Sequence, residues 1–214
     1  GRAMAAVSKL PRSIPLVVEQ ARRIGVESLP LVIITSIFTG AVTAVQAAYQ
    51  LKEYVPQLYL GTAIYKSVVI ELGPVLTALV VGGRVAASIA AELGTMRVTE
   101  QIDALRAMGT DPLRVLVVPR FLACLLLTPL LVMYADFMGI LGGYAISVHV
   151  YDVPGKEFWA HAAQTVHYFD IFYGPVKSVF FGLAISLICC YKGFHCSPGA
   201  AGVGRACTES FVAS

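Results

Sequence analysis

Four stretches of this sequence, residues 29–49, 68–91, 121–145 and 171–191, are almost wholly apolar. Each is long enough to cross the roughly 30 Å hydrocarbon core of a bilayer as a helix rising about 1.5 Å per residue. Inside that core every backbone N–H and C=O must be satisfied by the segment itself, so such runs span as helices. The expected fold is therefore all-α, a polytopic membrane helix bundle forming a single domain over residues 1–214. A chain with 57% hydrophobic and only 14% charged residues is also far from the composition of a soluble domain.

Two further segments complete the expected architecture. Residues 13–25 alternate with helical period, placing Ile14, Val17, Val18, Ala21 and Ile24 on one face and Glu19, Gln20, Arg22 and Arg23 on the other. Ser13 suits an N-cap and Pro15 the first turn. A basic amphipathic helix directly before a span is expected to lie at the membrane surface. Residues 205–214 turn apolar at the end of the sequence and read as the start of a fifth span. The segment ahead of residue 13 lacks the apolar core and small-residue cleavage site of a signal peptide.

The basic residues orient the bundle. Arg2, Lys9, Arg12, Arg22, Arg23, Arg97, Arg106, Arg114, Arg120, Lys192 and Arg205 fall on one side, whereas only Lys52, Lys66 and Lys156 fall on the other. The positive-inside rule then places the N-terminus, the 92–120 connection and the C-terminal segment in the cytoplasm. The net charge of +3 is thereby accounted for without nucleic acid, for which no basic face interleaved with aromatics is present. Tyr, Trp159 and His residues in the 51–67 and 146–170 connections suit an interfacial belt on the far side.

No metal site is expected. The five cysteines, Cys124, Cys189, Cys190, Cys196 and Cys207, sit in or beside apolar runs, where the thiol behaves as a small hydrophobe. Cys190, His195 and Cys196 lack a fourth ligand at finger-like spacing, and His149, His161 and His167 match no ligand motif.

Ionisable residues inside spans are costly and tend to face a bundle interior or a wet cavity. Glu71 and Arg84 are thirteen residues apart, about 20 Å of rise and about 220° of rotation in a helix, so each needs its own partner. Glu71 is a candidate cavity residue or an interfacial anchor, beside a kink permitted by Pro74. Thr35, Thr39, Thr43 and Gln46 form one polar stripe on the first span, and Gln46 lies near the same end as Glu71. The hydroxyls can equally bond back to their own helix. Asp136 and Lys177 fall at similar expected depth and are predicted to pair. Small residues at Gly82, Ala86, Ala90, Gly94 and at Gly83, Ala87, Ala91 make two ladders that admit a close-packed helix.

Between the second and third spans, residues 97–112 leave the membrane. TEQIDALRAM (99–108) predicts a short helix capped by Thr99, with Glu100 and Asp103 at its positive end and Gly109 ending it. Val98, Ile102, Leu105 and Met108 form an apolar stripe, and Glu100, Asp103 and Arg106 face away from it. So short a helix is marginal in water and must dock on something.

ELGPVLTAL (71–79), GRVAASIAAELGTMRVTEQIDAL (83–105) and MGTDPLRVLVVPR (108–120) resemble the hallmark block of the MlaE-type permeases, the membrane subunits of ABC transporters in lipid trafficking. The likeness extends from the surface helix through GAAGVGRA (199–206). It implies a homodimeric permease with an interfacial helix and five spans per subunit, in a bacterial inner membrane or a chloroplast inner envelope. It also implies a cytoplasmic ATPase subunit that binds ATP and Mg, an MCE-domain protein on the far side, and phospholipid or a related lipid as cargo. Under this resemblance Gln46, Glu71, Thr39 and Thr43 would border the lipid cavity. Gly82, Gly83, Ala86 and Ala87 would pack the core, and Thr99, Glu100, Ile102, Asp103, Leu105, Arg106 and Met108 would form the coupling helix.

No cofactor is expected in this chain itself. The Gly-rich GAAGVG lacks the Lys of a phosphate-cradling loop, and no Ser/His/Asp or Cys/His nucleophile arrangement shares one face. A transport permease, not an enzyme, is thus expected. The competing transport class is an ion-coupled carrier using Glu71 and Asp136, and a scaffold that only anchors partners is the third reading.

Overall fold

The structure, a computed structural model, describes residues 14–51, 56 and 59–214. The expected Ser13 cap and the basic residues Arg2, Lys9, Arg12 and Lys52 lie outside the described residues. Among the described residues there are helices and no strands. The order is α1 (Ile14–Gly25), a 3-10 turn (Val26–Ser28), α2 (Leu29–Leu51), α3 (Leu60–Lys66), a π-helical segment (Ser67–Leu72) and α4 (Gly73–Val98). Then follow α5 (Gln101–Ala107), a second π-helical segment (Leu113–Val117), α6 (Val118–His149), α7 (Gly155–Thr165), α8 (Tyr168–Phe194) and α9 (Ala200–Ala213).

Four helical stretches, Pro15–Leu51, Leu60–Val98, Leu113–His149 and Phe169–Phe194, are long and apolar enough to cross a membrane. They contain the four expected spans and extend each one. The expected 51–67 connection is corrected at its end, because α3 and the π-helical segment already occupy residues 60–72. The 146–170 connection likewise carries a helix of its own, α7, which buries Phe158 and Ala162. Its period was masked by the polar residues that flank those two positions.

The chain divides into two compact units. One comprises the residues up to Ser28 together with Leu79–Thr128 and Val179–Ser214. Its core is built on the two small-residue ladders of α4, and α9 lies along them. A Cβ at Gly83 would meet the Phe211 ring at 2.8 Å, and one at Gly94 would meet Val203 and Cys196 at 3.3 and 3.4 Å. Ala86 and Ala90 are fully buried. The ladders thus pack against the segment expected to open a fifth span, as backbone-close contacts between small residues allow. On α1, Ile24 is buried and Val17 and Ala21 are partly covered, while Val18, assigned by its period to the same face, is exposed. An exposed apolar side chain there suits contact with lipid.

The other unit comprises Leu29–Ala78 and Pro129–Ser178. Ala44, Ala48, Leu60, Ile64, Val68, Val153 and Phe158 form its apolar cluster, with Tyr144 packed against it. Here α2 and α6 cross at glycines. A Cβ on Gly40 would collide with the Gly139 carbonyl, and one on Gly142 with the Ile37 carbonyl. Gly139 also accommodates Val68, at 2.9 Å from the position its Cβ would take. We expect Gly40→Val to separate this crossing and destabilise the protein by about 1–3 kcal/mol or more, the scale of overpacked cores. A lowered melting temperature in detergent would register it, with Ala41→Val, one residue along, as the milder control.

Candidate functional site

The connection between the second and third spans builds a small exposed platform. Helix α5 is bracketed by backbone reversals. Glu100 adopts φ 58°, a left-handed conformation, and Gly109 adopts φ 73°. At the C-terminal end Gly109 N–H donates to the Arg106 carbonyl and Thr110 N–H to the Leu105 carbonyl, both hydrogen bonds near 3 Å. This double closure is a Schellman motif, as expected for the glycine there.

The N-terminal end corrects the sequence expectation. Thr99 does not cap α5, since its hydroxyl donates to the Thr95 carbonyl at 2.8 Å and so remains tied to the end of α4. Glu100 occupies the cap position and makes no side-chain cap bond. The apolar stripe is corrected as well. Ile102 is fully buried and Leu105 half-buried, but Met108 is 71% exposed and Val98 is also exposed. One isoleucine therefore anchors the helix, and the methionine points outward with Glu100, Asp103 and Arg106. Asp103 accepts from Arg97 at 3.2 Å and from Arg106 at 3.0 Å, which fixes the angle of α5 against the end of α4. An exposed methionine among charges suits a contact that must accommodate a partner surface.

The charged residues of the spans each have a solution, although not always the expected one. Lys177 does not pair with Asp136. Its Nζ donates to Glu71 Oε1 at 2.9 Å and to the Ile70 carbonyl at 3.0 Å. The reason lies in the π-helical segment Ser67–Leu72. Where the π-helical segment gives way to regular helix, the ladder steps from i−5 to i−4 and passes over one carbonyl, that of Ile70, so that oxygen is free to accept from the lysine. Depth along a regular helix could not reveal this.

The proposed cavity residues are not brought together. Gln46 is exposed, Glu71 is exposed apart from its lysine, and neither lines the cleft in their unit. That cleft is lined by Thr35, Ser36, Thr39, Leu72, Thr77 and Gly139, among others. Of the expected stripe, Thr39 lines it and Thr43 does not. The hydroxyls of Thr35, Thr39 and Thr43 donate to carbonyls four residues earlier, at 2.7–2.8 Å. They are satisfied within their own helix.

Arg84 donates to Glu27 Oε2 at 2.6 Å and to the Ser28 hydroxyl at 2.7 Å, joining α4 to the turn after α1. The sequence reading missed the residue that organises this region. Glu92 takes Arg23 of α1 on one oxygen at 2.9 Å and Arg120 of α6 on the other at 2.7 Å. Arg120 is only 3% exposed and also donates to the Leu116 carbonyl. Both arginines had been counted only as flanking charges, although a lone acid eight residues after Arg84 on the same helix was a visible signal. Among the described residues no three His, Cys, Asp or Glu side chains converge as metal ligands.

A chain with four membrane-crossing helices and an anchored, outward-facing helix between the second and third has the form of a transporter's membrane subunit. The model of the permease MlaE family matches residues 17–214. A probable ABC transporter permease protein of Rickettsia prowazekii is 41% identical over 99% of this chain and 82% of its own length. The intermembrane phospholipid transport system permease protein MlaE of Haemophilus influenzae is 34% identical over 95% of this chain and 78% of its own. A chloroplastic protein of Arabidopsis thaliana, TRIGALACTOSYLDIACYLGLYCEROL 1, is 34% identical over 92% of this chain and 56% of its own. The chain belongs to the MlaE permease family.

Removing Glu92 would leave the buried Arg120 guanidinium without its counter-charge. Glu92→Gln should therefore cost about 3 kcal/mol, at the low end for broken buried pairs because Glu92 is itself partly exposed. Glu71→Gln leaves the Lys177 ammonium its second acceptor, the Ile70 carbonyl, and should cost less than Glu92→Gln. Unfolding of both variants in the same detergent would check the order.

Proposed function

We propose that this protein is the membrane permease subunit of an ABC transporter that moves phospholipids or related lipids between the membrane it spans and an MCE-domain protein on the far side. The observation that carries the reading is α5: a seven-residue helix held by one buried isoleucine and two arginine–aspartate pairs, presenting Met108 and Arg106 outward. A separate cytoplasmic ATPase subunit would dock there, holding ATP and Mg and passing its closure through α5 to α4. The phospholipid named for the Haemophilus relative supports the cargo class.

The family reading further supports a homodimer. It favours a bacterial inner membrane, with a chloroplast inner envelope as the alternative suggested by the Arabidopsis relative. The distribution of Lys and Arg supports a cytoplasmic N-terminus and a cytoplasmic α5. Within the lipid path, Glu71 and Lys177 are the charged pair that a headgroup could meet. Glu71 keeps 66% of its side chain exposed and Lys177 28%, so a headgroup could reach the pair.

The test is coexpression of tagged full-length permease with a candidate ABC ATPase subunit from the same organism. Met108→Asp and Glu100→Lys should each reduce ATPase recovery about tenfold or more while the permease still extracts and melts as wild type does. Ile102→Asp should instead destabilise α5 itself. Unchanged recovery of an active ATPase with both surface variants would overturn α5 as its contact.

A further inference from the structure

Asp136 differs from most charged residues of the spans in being buried without a partner. Glu71, Arg84, Glu92, Arg120, Lys177 and Lys192 all have an oppositely charged partner at 2.6–2.9 Å. Among the described residues Asp136 has none, although it is only 7% exposed. Its Oδ1 is buried without a hydrogen bond. The carboxyl is directed between two glycines. Oδ1 occupies the place a Cβ on Gly73 would take, and Oδ2 is 3.5 Å from the position of a Cβ on Gly174.

Three further oxygens of the same unit share this neighbourhood. Tyr65 is 7% exposed and its hydroxyl is buried without a partner, as is Oδ2 of Asp170. Tyr65 and Val69, one turn apart, pack on Ile140, itself one turn beyond Asp136 on α6. Gly174, one turn beyond Asp170 on α8, lies with its Cβ position 3.1 Å from the Val69 carbonyl. Because Gly174 meets the Val69 carbonyl and Lys177 the Ile70 carbonyl, α8 runs parallel to the second span, and Asp170 and Tyr65, one turn back on each, stand at the same level.

The Val69 carbonyl belongs to the set for a chemical reason. In the π register Gly73 N–H donates to the Val68 carbonyl, five residues back. The corresponding donor to Val69 would be residue 74, which is proline and has no N–H. Lys177, the basic residue on the same helix as Asp170, is already taken by Glu71 and Ile70. The buried Asp136 carboxyl, the buried Oδ2 of a half-buried Asp170, a phenol and a carbonyl thus lie on neighbouring turns of one unit with no basic side chain bonded to them among the described residues. Unpaired carboxylates in such surroundings cost several kcal/mol each.

We propose that Asp136, Asp170, Tyr65 and the Val69 carbonyl form a binding site for a hard metal cation of the alkali or alkaline-earth class. An all-oxygen donor set of carboxylate and carbonyl selects such ions over zinc or copper, which favour nitrogen and sulfur. A carbonyl freed where a membrane helix departs from regular geometry is a recurrent cation ligand. The ion would neutralise both carboxyls and tie α3, α6 and α8 together within their unit. This site does not depend on the identity of the lipid or of the ATPase.

The experiment uses full-length protein in phosphatidylcholine nanodiscs, in metal-free buffer held at constant ionic strength with choline chloride. Na⁺, K⁺, Mg²⁺ and Ca²⁺ are titrated while melting temperature and heat of binding are followed. One of these ions should raise the melting temperature of the wild type saturably and bind with measurable heat. Asp136→Asn should weaken that binding at least about tenfold, the scale on which metal sites respond to loss of even an outer partner. Asp170→Asn provides the same reading if Asp136→Asn does not fold, and Glu157→Gln, an exposed carboxylate of the same unit, should bind as wild type does. The proposal is overturned if no ion binds the wild type, if the Asp136 and Asp170 variants bind as tightly as it does, or if stability follows pH alone with no response to any metal.

Discussion

The cost of placing charge in an apolar medium governs this structure. An ion taken from water into surroundings of low dielectric loses several kcal/mol of solvation, so a membrane protein can retain one only where geometry supplies compensation. Here the compensation is local and specific. Glu92 gathers one arginine from α1 and one from α6, Arg84 reaches the turn after α1, and Lys177 takes both a carboxylate and a carbonyl left free at the end of a π-helical segment. These pairs decide which helices touch at those levels, because lipid itself gives apolar helices no reason to prefer one neighbour over another.

Small residues determine how closely those helices approach. In one unit the ladders of α4 receive α9 at Gly83 and Gly94, while in the other Gly40, Gly139 and Gly142 let two backbones meet. The first set was legible because it repeats at every fourth residue of one helix. The second was not, since its members sit on two helices a hundred residues apart and form a pattern only once they face each other.

The same distinction separates what could and could not be read elsewhere. Span number, the docking helix and its glycine stop follow from period, length and turn chemistry, which act locally. The family likeness rested on contiguous motifs and was equally readable. Ion-pair assignments depended on rotation, and rotation is where regular-helix arithmetic failed. A single π-helical segment adds an extra residue to one turn, which shifts everything beyond it by roughly a quarter turn or more. The expected pairing of Lys177 with Asp136 rests on depth alone, and depth does not say which way each side chain faces. Thr99 was misassigned for a related reason: α4 and α5 compete for its hydroxyl, and α4 offers the nearer acceptor.

The two left-handed residues around α5 have a mechanical meaning. A helix that ran on from α4 into α5 could absorb a push by lengthening, shortening or changing register. Glu100 and Gly109 prevent this by interrupting the helical hydrogen-bond pattern on both sides, so α5 keeps its seven residues whatever acts on it. It behaves as a rigid peg on a hinge, and displacement applied to its outer face arrives at α4 as torque through the Arg97–Asp103 bond and Ile102. Stiffness at that point, more than affinity, would set how much of a partner's motion reaches the spans.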